Sequence, residues 1–126
     1  MAWSGSVEEK SVGTSLTTVD EIIVQQGAMR MQLEIKVGND AGDNALDQFE
    51  LAYKAHADGD YIVLADTSTD YTTNIKWPLL MSTADLTTLG KGENALLTLE
   101  VKGIYAVRLR AAGSGNTHVS VYWQVR

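Results

Sequence analysis

Cysteine is absent from this sequence. Its absence excludes disulfide bonds, thiol catalysis and cysteine-ligated metal sites, and it leaves the redox compartment open. The sequence also lacks an apolar run near the roughly 20 residues that a membrane-spanning helix needs. No secretory signal is predicted, because Glu8, Glu9 and Lys10 fall where its apolar segment would lie. We therefore expect a protein that is made and used in soluble form.

Positive charge is scarce as well. The 126 residues include 10 Lys and Arg against 16 Asp and Glu, which gives a net charge of −6. Such a chain repels phosphate backbones and anionic lipid surfaces, so the sequence predicts no nucleic-acid partner and no membrane partner. The hydrophobic fraction of 44% is ordinary for a globular protein. The length accommodates one domain with a proper core.

Helical patterns are nearly missing, and alternation of apolar and polar residues takes their place. The alternation is strict over 28–37 and 118–125, and it recurs over 48–55, 95–102 and 105–111 with Ala52, Leu96 and Ala106 in the polar phase. Successive side chains on a strand point to opposite faces, so each run predicts a strand that buries one face and exposes the other. Trp123 lies in the apolar phase of the last run, which predicts a core position for its side chain.

We predict an all-β fold, a single antiparallel β-sandwich or jelly roll, because short strands recur without a βαβ rhythm. Residues 20–126 form the sandwich domain. Residues 1–19, rich in Ser, Thr and Gly, form an N-terminal arm or an edge strand. At most one short helical turn is expected, near residues 82–89, where Asp85 suits the first turn of a helix.

Turn signals predict how the strands connect. Gln26-Gly27 predicts a hairpin between a short strand over 19–25 and the alternating run that follows. Asp58-Gly59 predicts a second hairpin between the strands on either side of it. The last three alternating runs are joined by short turns, which predicts an antiparallel meander near the end of the chain.

No catalytic motif is present, and we expect no enzyme. The sequence has neither a Gly-x-Ser-x-Gly nucleophile elbow nor a phosphate-binding glycine loop. His56 and His118 are predicted to be surface histidines, because no cysteine or suitable carboxylate set completes a zinc site. The Asp-rich loop over 39–47 lacks the spacing of an EF-hand, and surface turns use Asp and Asn for backbone reasons. We expect no metal and no cofactor, with structural calcium at the loop tips as the alternative.

Four residues are candidates for contact with a partner protein. Trp3 and Trp77 lie outside confident strands, where large aromatic side chains clamp a sheet or anchor a partner. Val7 and Val12 belong to the N-terminal arm, which is suited to strand addition onto a neighbour.

A small basic stripe has a simpler explanation than partner binding. Arg108 and Arg110 lie on one face of their strand. In a chain of this net charge we expect them to pair across strands with Glu100.

Several stretches give the chain its resemblance to small virion proteins of tailed bacteriophages. A Thr/Ser-rich opening precedes an alternating strand, an Asn/Asp/Gly loop and a strand, and the ending holds two strands around a Gly/Ser turn. The stretches are Ser11-Val12-Gly13-Thr14-Ser15, Leu46 to Leu51, Leu89, Ala95-Leu96-Leu97, Val101 to Ala111 and Val119-Ser120-Val121.

The resemblance implies structural work on a phage particle. A capsid decoration (cement) protein is the favoured member of this group. It would bind the major capsid protein and other copies of itself, with a trimer favoured, on the capsid surface of the virion after synthesis in the host cytoplasm. A neck or tail structural protein is the first alternative. A carbohydrate-binding β-sandwich module with Trp77 or a neighbouring tyrosine as a stacking platform is the second.

Overall fold

The fold is all β. The computed structural model describes residues 4–64, 71–72 and 75–126. These residues form nine strands and contain no helix. Among the described residues there is accordingly no helix that is long and apolar enough to cross a membrane. The strands are β1 (Gly5–Val12), β2 (Thr17–Ile23), β3 (Arg30–Val37), β4 (Leu46–Lys54), β5 (Ile62–Val63), β6 (Leu79–Ser82), β7 (Asn94–Glu100), β8 (Ala106–Gly113) and β9 (Thr117–Val125).

Two antiparallel sheets pack face to face. The five-stranded sheet has the order β1-β9-β3-β7-β6, and the four-stranded sheet has the order β2-β8-β4-β5. The pairs β1·β9, β2·β8, β3·β7 and β4·β5 are nested, as if one long hairpin had been wound upon itself. This winding is a jelly roll, with β6 added to the edge beside β7. The predicted β-sandwich or jelly roll is confirmed.

The alternating pattern divides core from surface as predicted. On β3, the side chains of Met31, Leu33, Ile35 and Val37 are completely buried, and the residues between them face outward. On β9, Val119 and Val121 occupy the same core. Trp123 lies in phase with them, but it is only half-buried and packs against the edge of the core.

Two predictions about connectivity are wrong. β2 pairs with β8 in one sheet, whereas β3 pairs with β7 and β9 in the other, so Gln26-Gly27 lies in a crossing between sheets and not in a hairpin. The last three strands form no meander, because β8 lies in the four-stranded sheet while β7 and β9 flank β3 in the five-stranded sheet. A glycine turn followed by a strand with one apolar face is compatible with a connection between two sheets as well as with a hairpin within one sheet.

The second predicted hairpin is confirmed. Ala52 pairs with Val63 and Tyr53 pairs with Ile62 on either side of the Asp58-Gly59 turn. Ser82 ends β6, and residues 83–89 form a turn without a helix. In it the Asp85 carboxylate accepts hydrogen bonds from the N–H and the hydroxyl of Thr87, at 3.0 and 2.9 Å.

Candidate interaction surfaces

The structure places the predicted contact residues in different environments. Trp3 lies outside the described residues. Val7 is half-buried, pairs with Val121 on β9 and packs against the core. Val12 is 2% exposed and belongs to the core, so it is not available to a partner in this fold. Trp77 is 50% exposed and presents its side chain outward.

Trp77 belongs to an apolar strip along one side of the sandwich. Edge strands β1 and β2 contact each other across the two sheets. β6 and β5 are the edge strands at the opposite ends of the two sheets. Six of the eight exposed large hydrophobic side chains among the described residues lie on or beside these two strands, each 37–54% exposed. We call them the side strip: Ile62, Val63, Ile75, Trp77, Leu80 and Met81.

A bulge in the edge strand β6 creates part of the side strip. Leu79 pairs with Leu99 and Met81 pairs with Thr98, so the register shifts between them. As a result Leu80 and Met81 are both exposed, although they are neighbours in one strand. Bulges are common on sheet edges, where they redirect side chains and interrupt further strand pairing.

Aromatic contacts join Tyr71 and Trp77 to residues of β4. The buried Tyr71 hydroxyl donates to the carbonyl of Phe49 at 3.2 Å and accepts from the N–H of Leu51 at 3.3 Å. The Tyr71 ring packs edge to face on Phe49 at 5.7 Å. Trp77 packs edge to face on Tyr53 at 5.5 Å between ring centres. An indole held in this way loses little conformational entropy when a partner covers it.

The outer face of the four-stranded sheet carries a compact ion cluster. Arg110 donates from Nε to Glu50 Oε1 at 2.7 Å, and Arg108 donates from Nη2 to the same oxygen at 3.3 Å. The partner predicted for these arginines, Glu100, is therefore wrong. Strand order explains the difference, because β8 lies beside β4, which carries Glu50, and not beside β7.

An aromatic ring completes this cluster. The Arg108 guanidinium lies 4.4 Å and the Lys54 ammonium 4.9 Å from the centre of the Tyr61 ring. Burial raises the pKa of the Tyr61 hydroxyl, and the carboxylate of Glu21 adds to the effect. The cations on this face are thus engaged within the chain, which makes the face a poor receptor for an anionic partner.

The Asp-rich loop before β4 is tied to the turn before β9. The Asp43 carboxylate accepts hydrogen bonds from the N–H of Asp40 at 3.0 Å and from the Asn116 amide at 3.2 Å. It also pairs with Nδ1 of His118 at 3.0 Å. The Asp40 N–H, assisted by His118, holds the Asp43 pKa below its ordinary value. The predicted surface histidine His118 is thus half-buried, and it links β9 to the Asp-rich loop.

The acidic loops do not converge on a cation site in the part of the chain that the structure describes. There, no group of three or more His, Cys, Asp or Glu side chains is placed to hold a metal ion. The other histidine, His56, is exposed in the turn between β4 and β5, where its carbonyl accepts from the N–H of Gly59 at 3.0 Å.

Comparisons with known proteins give a similarity of fold. No family model matches the chain, and no curated protein matches it. Among solved structures, the crystal structure of the SPBc2 prophage-derived protein YomS is similar, with a TM-score of 0.54. The match covers 97% of this chain and 92% of that chain at 16% sequence identity. The two proteins therefore share a fold along nearly their whole lengths, and one of them derives from a prophage.

Proposed function

We propose that this chain is a structural protein of a tailed-phage particle, most specifically a head decoration protein that binds the major capsid protein. The side strip is the observation that carries the proposal. A concentration of exposed apolar side chains on a small domain marks a candidate surface for a protein partner. Trp77, rigidly packed on Tyr53, is the type of residue that dominates binding energy at such surfaces.

Three further features support a role on a particle. The fold is shared from end to end with a prophage-derived protein. The domain is a small jelly roll, an architecture used for viral capsid and lectin domains. The net charge of −6 keeps the free protein soluble until it meets its docking surface.

The proposed mechanism is multivalent clamping. Each copy makes a modest contact through its side strip, and copies at symmetric positions bind one another as well as the shell, with a trimer as the favoured unit. Linked weak contacts raise the overall affinity far above that of one contact. The protein would then stabilise the shell from its outer surface.

Copy number on purified particles tests the proposal. Particles of the phage or prophage that encodes this chain are purified, and the chain is quantified against the major capsid protein by mass spectrometry. A copy number comparable with that of the capsid protein supports decoration. A small fraction of that number assigns the chain to a neck or tail ring, and absence from the particles contradicts the proposal.

Substitutions in the side strip test its role directly. Met81→Ser is expected to weaken attachment about tenfold or more, the effect of losing an apolar contact of about 1.4 kcal/mol. Ile23→Ser is the matched control, because Ile23 is exposed to a similar degree, 54% against 46%, but lies on β2 at the opposite edge. Equal attachment of the two variants would show that the strip is not the docking surface.

Carbohydrate binding is the second candidate, favoured by the half-exposed indole of Trp77. Sugar rings pack on exposed aromatic faces. A glycan array probed with the folded chain and with Trp77→Ser tests it. Binding that is lost in the variant supports this candidate, and an array without hits counts against it.

A further inference from the structure

An open depression of about 330 Å³ lies on the outer face of the five-stranded sheet, between β1, the end of β3 and the middle of β9. Its volume falls at the lower end of the range of roughly 300–1,000 Å³ that small-molecule sites occupy. It shares no residue with the side strip. We call it the β1 pocket, and six side chains with polar groups line it: Glu8, Glu9, Lys36, Asn39, Ser120 and Tyr122.

A bulge in β1 builds one wall of the β1 pocket. Glu8 and Glu9 together stand opposite the single residue Ser120, between the regular register pairs on either side. Glu9 has a φ of 52°, in the left-handed region that favours glycine. Its N–H donates to the Ser120 hydroxyl at 2.9 Å. The chain thus places a carboxylate at a backbone position where glycine would be less strained.

The end of β3 builds the opposite wall. The Gly38 carbonyl accepts from the N–H of Gly92 at 3.1 Å, and the Gly38 N–H donates to the carbonyl of His118 at 2.7 Å. A Cβ atom at Gly92 would lie 2.9 Å from the amide carbon and oxygen of Asn39, so the Asn39 side chain packs closely on this glycine. Packing therefore holds the Asn39 amide beside the pocket.

The hydrogen-bonding groups of the β1 pocket are of both kinds. Among the described residues, the Glu9 carboxylate, the Lys36 ammonium and the Asn39 amide make no hydrogen bond or ion pair. The Ser120 hydroxyl, which accepts from Glu9, keeps its own hydrogen to donate. A carboxylate only accepts and an ammonium only donates, whereas an amide and a hydroxyl do both. Ligand groups that both donate and accept, such as hydroxyls, match this whole set.

Charge and topology argue against other ligand classes. The carboxylates of Glu8 and Glu9 oppose an anion, and the ammonium of Lys36 opposes a cation. No group of three or more metal-binding side chains occurs in the described part of the chain. β3 and β9 each have a neighbour on both sides, so a peptide backbone finds no unpaired edge on this face.

We propose that the β1 pocket binds a sugar unit of a neutral glycan. Sugar hydroxyls donate to the Glu9 carboxylate, accept from the Lys36 ammonium and pair with the Asn39 amide. Tyr122, whose hydroxyl donates to Glu8 at 3.4 Å, adds an aromatic side chain to the wall, and aromatic side chains pack on sugar rings. The site is separate from Trp77 and does not rest on attachment to a capsid.

An array of neutral and acidic glycans tests the proposal. The full chain is biotinylated and presented on streptavidin, so that weak single sites act together. We expect neutral glycans to be bound in preference to acidic ones, and Trp77→Ser to bind the same glycans as wild type. An array without neutral hits, or a preference for acidic glycans, overturns the proposal. Loss of binding in Trp77→Ser also overturns it and assigns the sugar to Trp77 instead.

Amide chemical shifts of the ¹⁵N-labelled full chain locate the sugar. The probe is the neutral glycan that binds best on the array. We expect its addition to shift the amides at 8–9, 36–39 and 120–122, which surround the β1 pocket. Shifts confined to 75–81 would place the sugar on the side strip and contradict the proposal.

Glu9→Gly separates binding from folding. It removes the carboxylate and suits the left-handed φ, so the urea midpoint should stay the same or rise. Binding of the same glycan should weaken at least about tenfold, a loss of about 1.4 kcal/mol. Asn39→Ala, at an exposed position, should weaken binding to a similar degree without a change in backbone conformation.

Glu100→Gln is the matched control for these variants. It removes one negative charge from the same sheet, at a residue outside the β1 pocket that has no hydrogen-bond or ion-pair partner among the described residues. It should bind the glycan as wild type does. Unchanged binding in Glu9→Gly and Asn39→Ala, or an equal loss in Glu100→Gln, would overturn the proposal.

Discussion

At the scale of single residues, Glu50 balances the charge on the outer face of the four-stranded sheet. Its side chain is 8% exposed, whereas the two arginines that it accepts from, Arg108 and Arg110, are 22% and 31% exposed. A carboxylate so deeply covered is held by charge-assisted hydrogen bonds, and removing it leaves two partly desolvated cations uncompensated.

Glu50→Ala should therefore destabilise the fold by about 2 kcal/mol, a value reduced from that of a fully buried pair because water reaches the arginines. Urea unfolding monitored by tryptophan fluorescence measures the change. Glu100→Ala is the control, because among the described residues its carboxylate has no hydrogen-bond or ion-pair partner, and it should stay within about 0.5 kcal/mol of wild type. A larger effect at Glu100 than at Glu50 would contradict this assignment.

Asp43 gives the stability a dependence on pH. Its pKa is lower in the folded chain than in the unfolded chain, chiefly because the Asp40 N–H donates to its carboxylate. The unfolded state therefore binds the proton more readily, and the contribution of Asp43 is complete above about pH 5 and is lost as the pH falls through and below 4.

The stability advantage of wild type over Asp43→Asn should accordingly shrink as the pH falls through and below about 4. Urea midpoints between neutral and acidic pH measure it. Asp47→Asn, at an exposed position on β4, is the comparison and should follow the wild-type curve. An advantage of wild type that grows as the pH falls below about 4 would have the wrong sign and contradict the role of Asp43.

At the scale of elements, the sequence predicts which face of a strand is buried but not which strand lies beside it. Met31, Leu33 and Ile35 alternate with polar residues, and burial of their face requires only that a core exist. The neighbours of β3 are β7 and β9, which lie more than 50 residues away along the chain. Short turns favour sequential pairing, and the winding of a jelly roll overrides that preference.

The interaction surfaces were predictable only in part for the same reason. Trp77 is recognisable because a large aromatic residue precedes the sole proline at the end of a polar stretch. Leu80 and Met81 look like ordinary strand residues, since the bulge that exposes both is not visible in the sequence.

The edge strand β1 depends on a close approach between a glycine and an indole. A Cβ atom at Gly5 would overlap the ring of Trp123, its register partner on β9. Gly5→Ala should therefore displace the indole or detach the start of β1, at a cost of about 1 kcal/mol or more. Hydrogen exchange of the β1 amides should be faster in this variant. Gly13→Ala is the control, because a Cβ atom there meets nothing within 4 Å. Faster hydrogen exchange in Gly13→Ala but not in Gly5→Ala would contradict the packing argument.

At the scale of the whole molecule, the nested strand order joins the first strand to the last. Gly5–Val12 pairs with β9, and Val12 lies in the central core, so the opening segment is an integral part of the sandwich in this structure. A segment that resembles a free arm in sequence can thus act as the edge of a sheet. Experiments that remove it change the fold as well as any surface it carries.

Deletion of residues 1–12 should lower the free energy of unfolding by about 3 kcal/mol or more, because it exposes the surface that Val7 and Val12 cover and leaves β9 as an unpaired edge. Thermal and urea unfolding measure the loss, with the exposed Ser6→Ala expected within about 0.5 kcal/mol of wild type. A deletion variant as stable as wild type would instead show that this strand is dispensable. Because the deletion acts on stability, a loss of particle attachment after it would not identify a docking arm. Met81→Ser, which changes an exposed side chain and leaves the strand pairing in place, separates docking from folding.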